Sequence, residues 1–459
     1  MRGPVIWAGG RMTWPRLHSL PYRADAASYF TCLQDLPFPV WLDSGCPGLG
    51  VGRYDFLAAA PADVVRMAAE PPQTVLSRLR SLLGQPVTID DHFLPFCGGL
   101  IGFISYEMGR TWQGLPSRSD DPLSDDLYAG LYDWAVVVDH HRQTATLAGM
   151  GRVQSTREQW DGICERLLSP PASATGEENP LGKVTGVGLS SAAYVEAFTR
   201  IQQYIRDGDI YQVNFARRLQ ALCEADAWTL YLTLRSISPA PYGAYLDLGD
   251  YQVLSNSPEQ FLGLQAGKVQ TRPIKGTRPR SDSPPRDARL RADLAASEKD
   301  RAENLMIVDL LRNDIGRVCV PGSIEVPELF AVESYATVHH LVSTVIGRLA
   351  QGKDAFDLLQ ACFPGGSITG APKHRSMQII DELEPVSREL YCGSIFRLGY
   401  DRNLDSSISI RTLLRRDKHL YYWAGGGIVA DSGCAAEYQE GLDKAAAFFA
   451  LLGVRPPRD

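Results

Sequence analysis

The 459-residue sequence predicts an α+β protein built largely on antiparallel sheet. Up to about residue 168, short apolar runs alternate with turn residues, as in Phe38–Ser44 and Tyr132–Asp139, which is typical of antiparallel strands. Later, apolar residues between Tyr194 and Ile205 recur at helical spacing. Because 44% of the residues are apolar, the chain can bury a large core.

One segment, residues 169–188, is predicted to be a linker because it is rich in Pro, Gly and small polar residues. It separates a β-rich N-terminal region, residues 1–168, from a larger region, residues 189–456. After the linker, the helix through Tyr194–Ile205 should end at Gly208. Residues 210–215 then have the composition of a strand.

The charge and cysteine content exclude several classes of protein. The sequence has 46 basic and 53 acidic residues, a net charge of −7 and no long run of either sign, which argues against nucleic-acid binding. No apolar run is long enough to span a membrane, and the N-terminus lacks the apolar core of a secretory signal. The nine cysteines are scattered without a CxxC pair, as in a protein with reduced thiols. Among them, Cys46 is predicted to be a loop residue. The reduced thiols, with no membrane span and no secretory signal, predict a cytosolic enzyme.

The strongest candidate for chemistry is Lys275, in the segment Thr271–Thr277. The strand-like run Lys268–Arg272 ends at a proline, so the lysine should lie just past a strand end. Burial and cationic neighbours lower the pKa of a lysine and can leave a neutral, nucleophilic amine. Gly276 permits close backbone approach and Thr277 adds a hydroxyl. Taken alone, the segment is more typical of a solvated anion-binding turn, and the acidic and glycine-rich segments elsewhere make Lys275 a candidate.

Two predicted helices each carry a pair of acidic residues on one face. Asp300 and Glu303 form one pair; Glu437 and Glu440 form the other, with Lys444 one turn later. If the pairs faced each other, they would form a hard oxygen site suited to Mg²⁺. Surface helices also carry such pairs without any such role.

Three glycine-rich segments are also candidates. Leu420–Ile428 is predicted to be a strand that runs into three glycines, whose free N–H groups could surround a carboxylate. Phe363–Lys373 precedes a probable helix and could bind an anion at its N-terminus. Tight turns would explain either segment alone. Gly98–Tyr106 lacks the Lys-Ser/Thr of a phosphate loop and better suits close strand packing.

Three single residues complete the candidate set. Arg411 lies in residues 407–412, where polar and apolar side chains alternate. This alternation predicts a strand that carries the Arg411 guanidinium on its polar face. Glu259 follows a strand and a proline and could act as a general acid if burial raises its pKa. His340 could bond a hydroxyl, although a lone histidine is more often an ordinary core residue.

Together these motifs resemble the chorismate-utilising enzymes. The similar segments are Ser257–Glu259, Pro273–Thr277, Arg301–Asp314, Pro364–Lys373 and Ala424–Asp431. They are long, specific to that family and spread over most of residues 190–450. The resemblance implies two large antiparallel sheets stacked face to face with helices outside. It also implies that residues 189–456 form the chorismate-binding catalytic region and that the linker does not separate two independent globules.

Lys275 and Gln212 indicate the branch of the family. Anthranilate synthases have alanine where this sequence has Lys275, whereas Pro-Ile-Lys-Gly-Thr is typical of the enzymes that form 4-amino-4-deoxychorismate. Isochorismate and salicylate synthases have a water-activating lysine at the position of Gln212. The resemblance therefore implies addition of ammonia rather than water.

The resemblance further implies a mechanism and a set of site residues. Lys275 would attack C2 of chorismate while Glu259 protonates the departing C4 hydroxyl, and ammonia would then add at C4 and expel the lysine. Mg²⁺ is the implied cofactor, held by Glu303 and Glu440, with Glu437 and Asp300 in support through water. The residues implied to line the substrate pocket are Gly276, Thr277, His340, Thr369, Tyr391, Arg411, Gly425, Gly426 and Lys444.

The same resemblance implies partners. Ammonia would come from glutamine through a separate glutaminase subunit, which makes a heterodimer the expected assembly. Some relatives bind tryptophan between N-terminal strands, and Ser44 is compatible with such an effector site. Two alternatives remain open: anthranilate synthase component I, and a catalytically silent member of the family that binds tryptophan or a partner.

Overall fold

A computed structural model describes residues 14–45, 52–68, 70–87, 94–116, 123–168, 182–335 and 338–456. Cys46 and residues 169–181 of the predicted linker lie outside these ranges. The strands are β1 (Arg16–Leu20), β2 (Val40–Asp43), β3 (Tyr54–Ala58), β4 (Asp63–Met67), β5 (Gly99–Ile104), β6 (Leu127–Tyr132), β7 (Trp134–Asp139), β8 (Thr144–Gly149), β9 (Gly182–Gly186), β10 (Gln212–Cys223), β11 (Tyr242–Asp247), β12 (Gln252–Ser257), β13 (Gln260–Gln265), β14 (Lys268–Thr271), β15 (Ile274–Pro279), β16 (Glu325–Ser334), β17 (Val338–Arg348), β18 (Gly370–Ala371), β19 (Ser394–Gly399), β20 (Leu404–Ile408), β21 (Thr412–Arg416) and β22 (His419–Ile428).

The helices are α1 (Ala27–Thr31), α2 (Pro72–Leu83), α3 (Tyr106–Trp112), α4 (Gln154–Leu168), α5 (Ser191–Arg206), α6 (Ala227–Ile237), α7 (Pro284–Ala296), α8 (Glu298–Gly316), α9 (Ala355–Cys362), α10 (Lys373–Leu383), α11 (Cys434–Lys444) and α12 (Ala446–Leu451). The predicted helix through Tyr194 and Ile205 lies within α5. The Ser190 hydroxyl caps α5 by accepting a hydrogen bond from the Ala193 N–H, and Gly208 follows its end with a positive φ of 82°.

The described strands form two large antiparallel sheets. A twelve-stranded sheet runs in the order β1-β8-β7-β3-β2-β11-β12-β21-β22-β10-β18, with β9 also paired to β10. A ten-stranded sheet runs in the order β15-β17-β14-β13-β20-β19-β5-β6-β4, with β16 also paired to β17. Inward side chains of both sheets meet in one hydrophobic core, which includes Phe56 from the larger sheet and Phe103 and Tyr128 from the smaller one. The predicted α+β fold, with two antiparallel sheets and helices outside, is confirmed.

The end of the predicted linker differs from expectation. Gly182–Gly186 is strand β9, whose residues pair with the C-terminal part of β10. The alternating Lys183, Val184 and Thr185 suit an edge strand, a signal that the surrounding Pro and Gly residues obscured. Both sheets also combine strands from the two sides of the linker, since β2 pairs with β11 and β5 with β19. The division into regions at residues 168 and 189 stays a prediction.

Gly98–Tyr106, which the sequence predicts to be a closely packed strand rather than a phosphate loop, contains strand β5 inside the ten-stranded sheet. A Cβ atom at Gly102 would lie 1.9 Å from the Tyr128 carbonyl oxygen of the neighbouring strand β6. Any side chain there would push two paired backbones apart.

Gly102→Ala is therefore expected to destabilise the chain by about 3 kcal/mol or more, because overpacking against backbone cannot relax through a side-chain movement. Thermal and urea unfolding would measure the effect. Gly162→Ala in helix α4 is the matched control, since a Cβ there meets nothing within 4 Å. It should stabilise by about 0.5–1 kcal/mol through helix propensity. Equal stability of the two variants would contradict the packing described here.

Within the described ranges, no helix is long and apolar enough to cross a membrane.

Candidate active site

Lys275 is the second residue of strand β15. The sequence instead predicted a position just past the end of a strand. Pro273 interrupts the strand, but its carbonyl accepts a hydrogen bond from the Ser343 N–H (3.2 Å), so pairing with β17 resumes at Ile274. The register shifts between Lys275 and Thr277, and Gly276 adopts a positive φ of 77° at this bulge. The bulge changes the direction in which the lysine side chain leaves the sheet.

The Lys275 side chain is half-buried and surrounded by charge. Burial lowers the pKa of its ammonium, and the Lys444 charge acts in the same direction, whereas the carboxylates of Glu303, Glu259 and Glu440 oppose the shift. The net direction is downward. A larger fraction of Lys275 is therefore neutral, and nucleophilic, than of an ordinary lysine.

Glu259 is buried in the turn between β12 and β13 and faces Lys275. Burial raises the pKa of Glu259 to about 7, although the charges of Lys275, Lys444 and Arg411 partly oppose it. The Ile274 N–H donates a hydrogen bond to its carboxylate (3.4 Å). Near neutral pH, a fraction of Glu259 thus carries a proton that it can donate.

Thr277 and His340 are joined across β15 and β17, where they are register partners. The Thr277 hydroxyl lies 2.9 Å from His340 Nδ1. Burial lowers the pKa of His340 to about 4, with the Arg411 charge acting in the same direction. The imidazole is consequently neutral at physiological pH and acts as a hydrogen-bonding group rather than a cation.

The three glycines Gly425–Gly427 were predicted to follow a strand, but they lie inside strand β22. Strand β22 continues to Ile428 because β10 pairs with it along this whole stretch, Asn214 opposite Gly427 and Phe215 opposite Gly426. A Cβ atom at Gly427 would stand 2.2 Å from Gln212 Nε2, so the glycine leaves space for that amide. Both amide atoms of Gln212 and the Asn214 Oδ1 atom are buried without a hydrogen-bond partner among the described residues.

Arg411 also differs from its prediction. It lies between β20 and β21 rather than in a strand, with a positive φ of 52° that is unusual for a residue with a side chain. The Asn256 N–H donates to its carbonyl (3.1 Å), which holds this turn. Its charge nevertheless influences both Glu259 and His340, so the guanidinium belongs to the same site.

The first acidic pair lies at the start of helix α8 and faces Lys275. Burial raises the pKa of the half-buried Glu303, the Lys275 ammonium opposes this shift, and the charges of Asp300 and Glu440 add to it. Asp300 accepts a hydrogen bond from Arg278 (3.0 Å), which occupies one of its oxygens. The charge of Glu440 acts on Glu303, so the two acidic pairs lie near each other, and their role in binding magnesium stays a prediction.

The second pair lies on helix α11. Glu437 accepts a hydrogen bond from the Ser432 hydroxyl (2.6 Å) through Oε1, while its buried Oε2 has no partner in the described part of the chain. Burial raises the pKa of Glu437. Burial alone would raise the pKa of Glu440, but the Lys444 ammonium, 2.7 Å away, and the charges of Lys275 and Lys299 together lower it. Across the described segments, no three His, Cys, Asp or Glu side chains are gathered closely enough to hold a metal ion.

Three further predicted residues have well-defined environments. The buried Tyr391 ring stacks on Trp423, with 6.5 Å between centroids and 8° between planes. The Thr369 hydroxyl donates to the Gly365 carbonyl (2.9 Å) and so holds its own loop. Ser44, the predicted effector residue, is buried and donates its hydroxyl to Asp55 (2.8 Å). The roles assigned to these residues stay predictions.

In a comparison with protein families, the sequence model of the family described as chorismate binding enzyme matches residues 40–450 of this chain. The chain belongs to the chorismate binding enzyme family. It is 45% identical to aminodeoxychorismate synthase component 1 of Klebsiella aerogenes over 94% of this chain and 98% of the relative. It is 38% identical to anthranilate synthase component 1 of Streptomyces coelicolor over 88% and 81% of the two chains.

Its fold is also that of this family. The crystal structure of anthranilate synthase component I from Streptococcus pneumoniae superimposes with a TM-score of 0.76 and 30% identity, covering 86% of this chain and 91% of that one. The membership predicted from the motifs is thus confirmed.

Sequence reasoning missed several residues of this chorismate binding enzyme. Ser432, which holds Glu437, stands just before α11, and a hydroxyl at a helix start is a readable signal. Trp423, which stacks on Tyr391, alternates with Gly425 and Gly427, so strand periodicity could have placed it on the face of the sheet that Gly427 shares with Gln212. The buried pair of Lys373 with Asp314 (2.7 Å), which anchors the 363–373 loop, has no such local signal.

Proposed function

We propose that this chain converts chorismate and ammonia into 4-amino-4-deoxychorismate and water. The observation that carries the proposal is the pair formed by Lys275 and Glu259. Desolvation lowers the pKa of the lysine and raises that of the glutamate, and both shifts favour the neutral forms that a nucleophile and a general acid require. The similarity to relatives named aminodeoxychorismate synthase component 1 supports the same assignment.

Two displacements account for the reaction. The Lys275 amine forms a bond to C2 of chorismate, both ring double bonds shift by one position, and the C4–O bond breaks so that the hydroxyl leaves with the proton of Glu259 as water. Ammonia then forms a bond to C4, both double bonds shift back, and the lysine leaves C2 as a neutral amine. The Glu259 carboxylate takes the extra proton from the new C4 ammonium group. Both residues return to their starting states, and no oxidant is needed.

The carboxylates of α8 and α11 fit Mg²⁺ in their chemistry. They supply hard oxygens, and the buried Glu437 Oε2 has no other partner among the described residues. Glu437 and Glu440, whose oxygens both lie beside Gly426, would hold the ion directly, and Glu303 and Asp300 would support it through waters. The ion would neutralise the ring carboxylate and favour electron movement in the ring. Mg²⁺ generally keeps waters and shares its coordination with substrate, which suits a protein donor set of few members.

The remaining residues would position chorismate and ammonia. Arg411 would bind the enolpyruvyl carboxylate by a charge-assisted hydrogen bond. The neutral His340 would fix the Thr277 hydroxyl toward the substrate. The Gln212 amide cannot act as a general base, which favours ammonia over an activated water as nucleophile.

The ammonia would come from a glutaminase subunit that forms a heterodimer with this chain. The designation component 1 in the relatives supports a second component. The free, mostly buried thiols of the described segments suit a reducing compartment, and we propose the cytosol.

A tryptophan effector near Ser44 is a separate proposal, supported by a polar cavity of about 230 Å³ that Ser44, Tyr242 and Arg397 help to line.

Product analysis tests this proposal. Purified chain would be incubated with chorismate, Mg²⁺ and ammonium, with and without a lyase that eliminates pyruvate from 4-amino-4-deoxychorismate. para-Aminobenzoate is expected only with the lyase. Anthranilate and pyruvate formed by the chain alone would instead establish an anthranilate synthase, and no turnover of chorismate would favour a silent binding protein.

A further inference from the structure

We propose that Lys444 is an exchangeable counter-ion of the carboxylate site: it occupies Glu440 in the free protein and leaves when a metal ion and a substrate carboxylate bind together. The inference rests on the proposed function for the identity of the substrate. It goes beyond that function because it makes Lys444 the element that couples metal binding to substrate binding.

The geometry places the ammonium where it competes with a cation. Lys444 Nζ lies 2.7 Å from Glu440 Oε1 and donates to the Gly425 carbonyl oxygen (3.1 Å). A Cβ built on Gly426 would lie 3.3 Å from Glu440 Oε1, 3.6 Å from Lys444 Nζ and 3.2 Å from Glu437 Oε2. Two carboxylate oxygens and the ammonium therefore converge on one small space.

Glu437 gives this space its second feature. The residue is only 6% exposed, and its Oε2 has no hydrogen-bond donor among the described residues although its other oxygen is held by Ser432. A buried carboxylate oxygen without a partner is costly, and a cation beside it removes that cost. Lys444 bonds Glu440 rather than Glu437, so it neutralises the site without satisfying this oxygen.

A divalent ion would use both oxygens, but it must first displace Lys444 from Glu440. The side chains of Lys444 and Glu440 are 43% and 50% exposed, so the lysine is free to turn away. Its charge then requires another anion. The enolpyruvyl carboxylate of chorismate, shared with Arg411 and bound near Gly425, would be such an anion.

Coupling follows from this exchange. Metal binding frees Lys444 for the substrate, and substrate binding frees Glu440 for the metal, so each ligand tightens the other by the same factor. Without substrate, Lys444 acts as a tethered competitor and keeps the metal affinity low. The arrangement prevents the protein from holding a metal ion tightly when no chorismate is present.

Binding of Mn²⁺, as a paramagnetic probe for Mg²⁺, tests the proposal without any turnover. Free Mn²⁺ would be measured by electron paramagnetic resonance in the absence of ammonium, with and without chorismate. Lys444→Met keeps the apolar stem and removes the charge. Its Mn²⁺ affinity without chorismate is expected to rise about 5- to 10-fold, and the tightening by chorismate to shrink by a similar factor, within the usual range of coupling between sites.

Lys418→Met is the matched control, since Lys418 forms an exposed pair with Glu224 (2.6 Å) far along the sheet from this site. It should leave both Mn²⁺ affinities unchanged. Circular dichroism would confirm that each variant is folded. An unchanged or weaker Mn²⁺ affinity of Lys444→Met without chorismate would overturn the proposal. Failure of chorismate to bind any variant would instead count against the proposed function, because the Mn²⁺ comparison without chorismate stands on its own.

Discussion

Replacing Lys275 by alanine is expected to lower the rate of 4-amino-4-deoxychorismate formation by at least about 10³-fold, because the variant loses the nucleophile that divides one difficult displacement into two. Desolvation and the neighbouring Lys444 favour the neutral amine, and alanine offers no substitute. Steady-state assays with chorismate, Mg²⁺ and ammonium, coupled to the lyase, would measure kcat and KM. The loss should fall mainly on kcat, since chorismate binding also depends on Arg411 and the acidic residues.

Lys268→Ala provides the control, because Lys268 is exposed at the start of the adjacent strand β14. It should retain the activity of the unmodified chain. Lys275→Arg should be as inactive as Lys275→Ala, since a guanidinium stays protonated and is not a nucleophile. Full activity in either Lys275 variant would exclude a lysyl intermediate.

Glu259→Gln is expected to lower kcat by about 10²- to 10⁴-fold, the usual contribution of a general acid, because the amide cannot protonate the departing hydroxyl.

The same variant should change the dependence of activity on pH. With the pKa of Glu259 at about 7, the protonated acid is lost as the pH rises above 7, which predicts an alkaline fall in kcat/KM. The downward shift in the pKa of Lys275 predicts an acid limb, since protonation removes the nucleophile.

In Glu259→Gln the residual activity should lose its alkaline limb near pH 7 and keep the acid limb. Glu325→Gln, on the exposed start of β16, should leave the whole profile unchanged. An alkaline limb that persists in Glu259→Gln would assign that limb to another group and remove Glu259 from the acid role.

Local signals were sufficient for part of the site. The carboxylates of α8 and α11 were predictable because helical spacing alone places residues three apart on one face, and both helices are present with those pairs. Burial of Glu259 between two strands was equally readable from Ser257, Pro258 and the apolar run before them. Such features depend on a few neighbouring residues, which a single sequence contains.

The errors concern features that a distant strand determines. Gly425–Gly427 form a strand because β10 pairs with them, and no residue near the glycines indicates that partner. Lys275 belongs to β15 because β17 continues past Pro273, so the proline interrupts the strand without ending the pairing. Arg411 leaves its strand at a backbone conformation that alternation cannot reveal.

Covalent trapping tests the central claim most directly. The purified chain would be mixed with chorismate and Mg²⁺ without ammonium, quenched in acid and analysed by intact mass and peptide mapping. We predict a single adduct of chorismate that has lost its C4 hydroxyl, located on Lys275, absent from Lys275→Ala and removed by added ammonium. An identical adduct in Lys275→Ala, or an adduct on a different residue, would contradict the account.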